Sequence, residues 1–291
     1  MGIIPQILIP LLLGFMMIAL GMTMTIQDYK RLFSQPKAVI LGTILQVIGL
    51  PIIGFGIAYY FSPSPIISAG IVLLSACPGG PGSNIISFLC KADAPLSVSL
   101  TAINSLIGIF SLPIFFQWGW NFFMEKELHI PFSILDSIGK IALLTLLPIA
   151  LGMGIRSKYP KMAEKVERPL KRFAIAFFFF LVIMVFLKEK GKIKDLFIQS
   201  GIPDLLLLIS GMTIGYLTSK AFGLNNSQSK TIMIEIGIQN AALGITVAMS
   251  FLDNIQLAIP CIAYSPIMIV ASFVIISYTG WAESQAKKIK E

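Results

Sequence analysis

Charge is scarce in this sequence. Asp, Glu, Lys and Arg make up 12% of its 291 residues, hydrophobic residues make up 56%, and mean hydropathy is +0.85. Soluble domains carry about twice that charged fraction, so a soluble fold is excluded and a polytopic membrane protein is expected. Histidine and cysteine are scarcer still. The single histidine, His129, falls in a polar loop and reads as surface structure. Cys77, Cys90 and Cys261 are odd in number, lie in or beside apolar runs and lack metal-ligand spacing, which points away from a disulfide framework or a zinc site. The apolar runs hold no nucleophile-and-base pair and no His-rich motif, so an intramembrane enzyme is not indicated. The formal charge of +8 raises the question of a nucleic-acid partner, but the basic residues fall between apolar runs and form no continuous patch. No cleavable signal is expected, because the first apolar run starts almost at Met1 with no basic region before it.

Long apolar runs are what the chain has in abundance. They predict an all-α membrane protein with nine spans, at about 4–25, 37–61, 65–89, 94–120, 133–155, 173–187, 201–220, 229–251 and 256–280. An odd number of spans puts the termini on opposite sides. Lys30, Arg31, Lys37, Lys91, Arg156, Lys158, Lys220 and Lys230 share one side with the Lys-rich C-terminus, whereas Lys126, Lys188, Lys190, Lys192 and Lys194 fall on the other. The heavier side is the cytoplasmic one. The N-terminus is therefore expected outside the cell and the C-terminus inside. The segment 156–172, rich in Arg, Lys and Glu with Pro160 and Pro169, reads as a cytoplasmic linker.

Two spans are not ordinary membrane helices. The third contains Ser75-Ala76-Cys77-Pro78-Gly79-Gly80-Pro81-Gly82-Ser83-Asn84. Proline removes backbone donors and glycine favours non-helical backbone, so the helix breaks here, and a break within a bilayer needs protein or a cavity to satisfy it. Ser83 and Asn84 add side-chain oxygens at that point. In the fourth span Ser97, Thr101, Asn104 and Ser105 share one helical face and read as a wall of the same polar cavity. The eighth span carries Glu235 among apolar residues, followed by Gly237, Gln239, Asn240 and Gly244. A carboxylate there costs several kcal/mol unless it is paired, and no Lys or Arg lies deep in any span. A bound cation or a proton remains. Gln46, in the second span, is a third polar outlier. The third and eighth spans run in opposite directions, the pattern of inverted repeats in secondary transporters.

These residues resemble the bile acid:sodium symporter family over essentially the whole chain. The likeness lies in Ala76-Cys77-Pro78-Gly79-Gly80 with Ser83-Asn84, in Leu96-Ser97-Val98-Ser99-Leu100-Thr101, and in Glu235-Ile236-Gly237-Ile238-Gln239-Asn240-Ala241-Ala242-Leu243. The resemblance implies two sodium ions bound where two unwound helices cross. The first would use Ser83, Asn84, Ser97, Thr101 and Glu235. The second would use Gln46, Glu235 and Gln239 with the backbone carbonyls of Ile236 and Ile238. It also implies nine of the family's usual ten helices, the first being missing, in a core that rocks against a panel. On this reading 1–61 supplies a panel helix and the first core helix, and 62–120 a core half with one broken helix. Residues 133–220 supply the linker and panel helices, and 229–280 the other core half with the second broken helix. The cargo would be an organic anion, bile-acid-like, pantoate-like or a keto acid, bound near Asn240.

The departures concern that cargo. Pro81-Gly82 stands where family members often have a Thr or small polar residue, and Met268-Ile269 where many bacterial members have His-Asn. Neither a nucleic acid nor an obligate protein partner is implied. Two other readings stay open at this point: a proton-coupled carrier in which Glu235 titrates, and a membrane receptor that binds without transporting.

Overall fold

The computed structural model describes residues 3–62, 64–124, 133–188 and 190–288. Lys126 and His129 lie outside them, as does Lys290, and so do the side chains of Arg31, Lys188, Lys190 and Lys192. Every secondary-structure element named below is helical. The first span is α1 (Ile3–Thr23), followed by a short amphipathic helix, α2 (Ile26–Ser34), which the sequence reading had not separated from its loop. The second span comprises α3 (Pro36–Ile44), a π-helical turn at Leu45–Gly49, and α4 (Leu50–Phe61). The third is α5 (Pro65–Ala76) and α6 (Pro81–Leu89), and the fourth is α7 (Ala94–Phe123). The fifth bends at Thr145 between α8 (Ile134–Leu144) and α9 (Leu146–Lys158). Two long helices follow, α10 (Pro160–Lys188) and α11 (Lys190–Ala221). The eighth span is α12 (Asn226–Gly237), α13 (Ala241–Thr246) and a second π turn at Val247–Phe251, and the ninth is α14 (Ile255–Lys288).

The chemistry of the ends explains most of these boundaries. Proline stands in the first turn of α3, α5, α6 and α7, where its missing N–H has no intrahelical role to lose, whereas Pro51 directly follows the π turn inside a continuous helix. Asp93 caps α7 by accepting from the Leu96 amide at 3.0 Å. Asn225 and Gln228 form a reciprocal capping box on α12. Gly223, at φ +72°, ends α11 in the left-handed turn that glycine makes cheaply.

One expectation is corrected here. Residues 156–172, read as a linker outside the spans, are helical on both sides of Tyr159: α9 runs to Lys158, and Pro160 opens α10, which runs through Pro169 without interruption. A proline in the first turn starts a helix well, and the Lys/Arg/Glu content that looked like a loop covers the exposed face of its opening turns.

Helices cross closely where glycine allows it. α1 and α9 meet through Gly21 and Gly152; a β-carbon on either would overlap the Ile149 or Ile18 carbonyl. Such backbone-to-backbone contact is how small residues bind membrane helices together. α10 packs on this same pair. α11 packs elsewhere, against α12, α14 and α4. Gly211 and Gly215 let it approach Ile236, and a β-carbon on Gly237 would overlap the Met212 side chain. Outward faces carry exposed Phe110, Trp118, Phe122 and Phe273, as a lipid-facing surface does. Among the described residues five helices are long and apolar enough to cross a bilayer, and shorter apolar helices include one half of each broken span, Pro65–Ala76 and Ala241–Phe251. The chain is a multi-pass membrane protein.

Candidate functional site

Both anomalous spans are broken, and the breaks lie against one another. Cys77 and Gly80 are extended (ψ 143° and 165°), and Ile238 leaves helical backbone at φ −105°, ψ 93°. The freed groups pair across the crossing. The Gly80 amide donates to the Ile238 carbonyl at 3.1 Å, and the Asn240 amide donates to the Pro78 carbonyl at 2.9 Å. Gly79 and Gln239 form an antiparallel bridge between them. Each break thus supplies the partners that the other lost, which is what makes two interruptions tolerable away from water.

Beside this bridge lies Glu235, 1% exposed. Thr101 donates its hydroxyl to Oε1 at 2.5 Å and Ser97 donates to Oε2 at 2.9 Å. Both hydroxyls also face Asn84 Oδ1, at 2.9 Å from Ser97 and 3.1 Å from Thr101. Ser83 Oγ lies 3.5 Å from Thr101 Oγ1 and donates to the Gly80 carbonyl at 2.8 Å. Ser83, Asn84, Ser97, Thr101 and Glu235 therefore form one cluster, drawn from α6, α7 and α12. Among the described residues no Lys, Arg or His pairs with Glu235. Space is tight: a β-carbon on Gly79 would overlap the carboxylate.

A second cluster sits across Gly79. Gln46, 2% exposed, occupies the π turn of the second span. Single π turns inside α-helices re-aim a side chain, commonly at functional sites. Gln46 donates to the Cys77 carbonyl at 2.9 Å and to Gln239 Oε1 at 3.0 Å. Gln239 in turn donates to the Ile236 carbonyl at 2.5 Å. The Ile238 carbonyl is the one engaged by the Gly80 amide. Gln46, Gln239 and Ile236 are thus brought into contact, with Ile238 held in the adjoining bridge and Glu235 one residue before Ile236.

A cavity of about 210 Å³ opens on the other side of the crossing. Pro81, Gly82, Asn240, Met268 and Ile269, the residues singled out for cargo, all line it, together with Met16, Ile86 and Ile238. Its wall is mostly apolar and, among the described residues, contains no Lys, Arg or His. The first turns of α6 and α13 face it, and helix starts leave amides without intrahelical partners. Asn240 caps α13, accepting from the Leu243 amide at 3.2 Å.

Two residues escaped the sequence reading. Tyr264 on α14 is fully buried and donates its hydroxyl to the Gly237 carbonyl, freed by the break, at 2.7 Å. Asp204 on α11 is likewise fully buried. The signal for Asp204 was present, an acid within the seventh span and four residues after Ser200; Tyr264 has none beyond a polar tip in an apolar run.

The sequence pattern of the Sodium Bile acid symporter family matches residues 10–196, which include the first break. The chain belongs to the Sodium Bile acid symporter family. Within it, the chain is 27% identical over 282 residues to the probable sodium/metabolite cotransporter BASS1, chloroplastic, of Arabidopsis thaliana, covering 94% of this chain and 67% of that protein. It is 28% identical over 285 residues to the sodium-dependent transporter YocS of Bacillus subtilis (strain 168), covering 96% of this chain and 84% of YocS. It is 28% identical over 248 residues to the sodium-dependent organic anion transporter of Bos taurus, covering 81% and 62%. The chain spans 58% and 60% of the length of two chloroplastic family members from Oryza sativa subsp. japonica. These relatives are named as transporters and not as enzymes.

Proposed function

We propose that this family member is a sodium-coupled symporter that carries an organic anion into the cell by alternating access. The observation that carries the reading is Glu235: a buried carboxylate without a cationic partner, surrounded by oxygen. Sodium is a hard cation that suits such donors, and it is co-transported cargo here. Ser83, Asn84, Ser97, Thr101 and Glu235 would hold one ion, with hydroxyl lone pairs turning to it. Gln46, Gln239, Glu235 and the Ile236 and Ile238 carbonyls would hold a second. One carboxylate shared between two sites couples their occupancy, and a conformation favoured by sodium that also binds the anion gives symport.

The cavity supports an anionic cargo of limited size. With no basic side chain in the lining, a carboxylate would be drawn by the two helix starts, whose amides carry partial positive charge. At about 210 Å³ the space is below the roughly 300 Å³ at which drug-sized sites begin. A small acid with an aliphatic body, pantoate-like or a keto acid, fits better than a bile acid. The rocking interface would run between a panel of α1 and α8–α10 and a core of the remaining spans; α11, which the sequence placed with the panel, goes to the core on this reading because it packs on α12 and α14 and leaves α1 to α9 and α10. The N-terminus would face out, the C-terminus the cytoplasm, in the cell membrane.

The test is thermal stability of the purified protein in sodium chloride against choline chloride at fixed pH, with and without small organic anions. Sodium alone should stabilise, and an anion should stabilise further only with sodium present. Glu235→Ala should abolish both effects and sodium-dependent uptake in proteoliposomes; full uptake in that variant overturns the reading. Equal stabilisation by acid in choline would favour the proton-coupled carrier, and anion binding without flux a receptor.

A further inference from the structure

Asp204 has no place in the sodium chemistry, yet among the described residues it is the other acid sealed inside the molecule. It lies about two turns into the apolar stretch Ile198–Ala221, on the face of α11 that also buries Ser200, Leu207 and Leu208. Its Oδ2 lies 2.9 Å from Ser200 Oγ, and its Oδ1 has no partner. That differs from Glu235, whose two oxygens both receive hydroxyls.

Among the described residues the surroundings offer no counter-charge. α14 presents Cys261 and Tyr264, both fully buried and within electrostatic reach of Asp204. α12 carries Lys230 and Glu235, α5 ends at Cys77, and α4 has only the exposed Tyr59 and Tyr60. α3 brings Lys37 to the far end of α11, beside Gly223. The described charges of α10 lie in its opening turns, between Lys161 and Arg172, and on α11 itself Lys194 and Asp195 are exposed. No described Lys or Arg forms an ion pair with Asp204.

An ionised carboxylate here would have one hydrogen bond and a bare oxygen in an apolar interior, which is costly. A metal cation would find one carboxylate and one hydroxyl, too few oxygens to replace its water. A proton solves both problems. A neutral acid can donate from Oδ2 to Ser200 Oγ at the same separation, leaving Oδ1 as an uncharged carbonyl, the cheapest group to leave unpaired.

We propose that Asp204 is a proton-binding site of this protein, distinct from Glu235, that keeps its proton while it is sealed within the core and yields it to water only when local opening of the core lets water reach it. The O–H bond of the carboxyl breaks, the proton passes to water, and the carboxylate stays behind solvated. Tyr264, on the helix α14 that packs against α11, ties that helix to the crossing by donating to the Gly237 carbonyl. Opening of this layer becomes proton-linked through a group outside the sodium clusters.

Infrared spectroscopy of the purified, sodium-loaded protein at neutral pH reads this directly. The carbonyl stretch of a protonated carboxyl should be present in wild type, persist in Glu235→Gln and vanish in Asp204→Asn. Because the native state holds a proton that the unfolded state has released, stability should fall as pH rises, and Asp204→Asn should flatten that fall. Sodium-dependent stabilisation should survive in Asp204→Asn, which separates this proposal from the sodium assignment. Absence of the band in wild type, or its persistence in Asp204→Asn, overturns the proposal. Should Asp204→Asn fail to fold, wild type carrying 13C-labelled aspartate decides: a protonated-carboxyl band that shifts with the label supports the proposal, and no shift overturns it.

Discussion

Gly79 and Glu235 are in contact across the crossing of the two broken spans, the glycine α-carbon standing where any side chain would displace the carboxylate. The same glycine bridges to Gln239, so one residue without a side chain separates the two oxygen clusters. Close approach, and not backbone conformation, is the reason for glycine here.

Gly79→Ala should therefore injure sodium binding before it injures the fold. A methyl group there pushes Glu235 away from Ser97 and Thr101. Apparent sodium affinity in the thermal assay should weaken at least about tenfold, equivalent to about 1.4 kcal/mol. Unchanged affinity would show that the carboxylate position does not matter.

Ser97→Ala and Thr101→Ala each remove one hydroxyl from Glu235 and from Asn84. Because both donors serve the same two acceptors, their effects should not add. The double variant should lose sodium-dependent stabilisation by an amount that differs from the sum of the single losses, with a coupling of about 0.5–3 kcal/mol.

Met268→Trp should separate the ions from the cargo. The larger side chain fills the cavity, which borders the second oxygen cluster at Ile238 and Gln239 but is lined by none of Ser83, Asn84, Ser97, Thr101 and Glu235. Sodium should still stabilise the variant, while the extra stabilisation by small carboxylates and their uptake should disappear.

Tyr264→Phe deletes the hydroxyl that satisfies the Gly237 carbonyl at 2.7 Å. A buried acceptor left without its partner costs about 1–3 kcal/mol, which should appear as a lower thermal midpoint with or without sodium. A midpoint equal to wild type would mean that the carbonyl finds another donor.

Much of this was written in the one-dimensional string. Pro78, Gly79, Gly80 and Pro81 cannot sit within a regular helix, and Glu235 cannot sit in oil unassisted, so two interruptions and a buried acid followed from residue chemistry alone. Helical periodicity put Ser97 and Thr101 on one face. The boundaries were weaker where composition misled: charge between 156 and 172 suggested a loop, whereas helix propensity and Pro160 made a helix. The packing of α11 was not legible, since its apolar stretch is hydrophobic almost all round and periodicity names no partner.

The sequence by itself determined that the chain lives in a membrane, where its helices break, and which polar side chains had to find partners. Only the tertiary structure decided which partners they found. The pairing of Gly80 with Ile238 and Asn240 with Pro78, the π turn that aims Gln46 at Gln239, and the sealing of Asp204 behind α14 all join residues far apart in the chain. The physical reason is that local propensity acts over a few residues, whereas satisfying a buried polar group depends on which distant backbone is brought within about 3 Å of it.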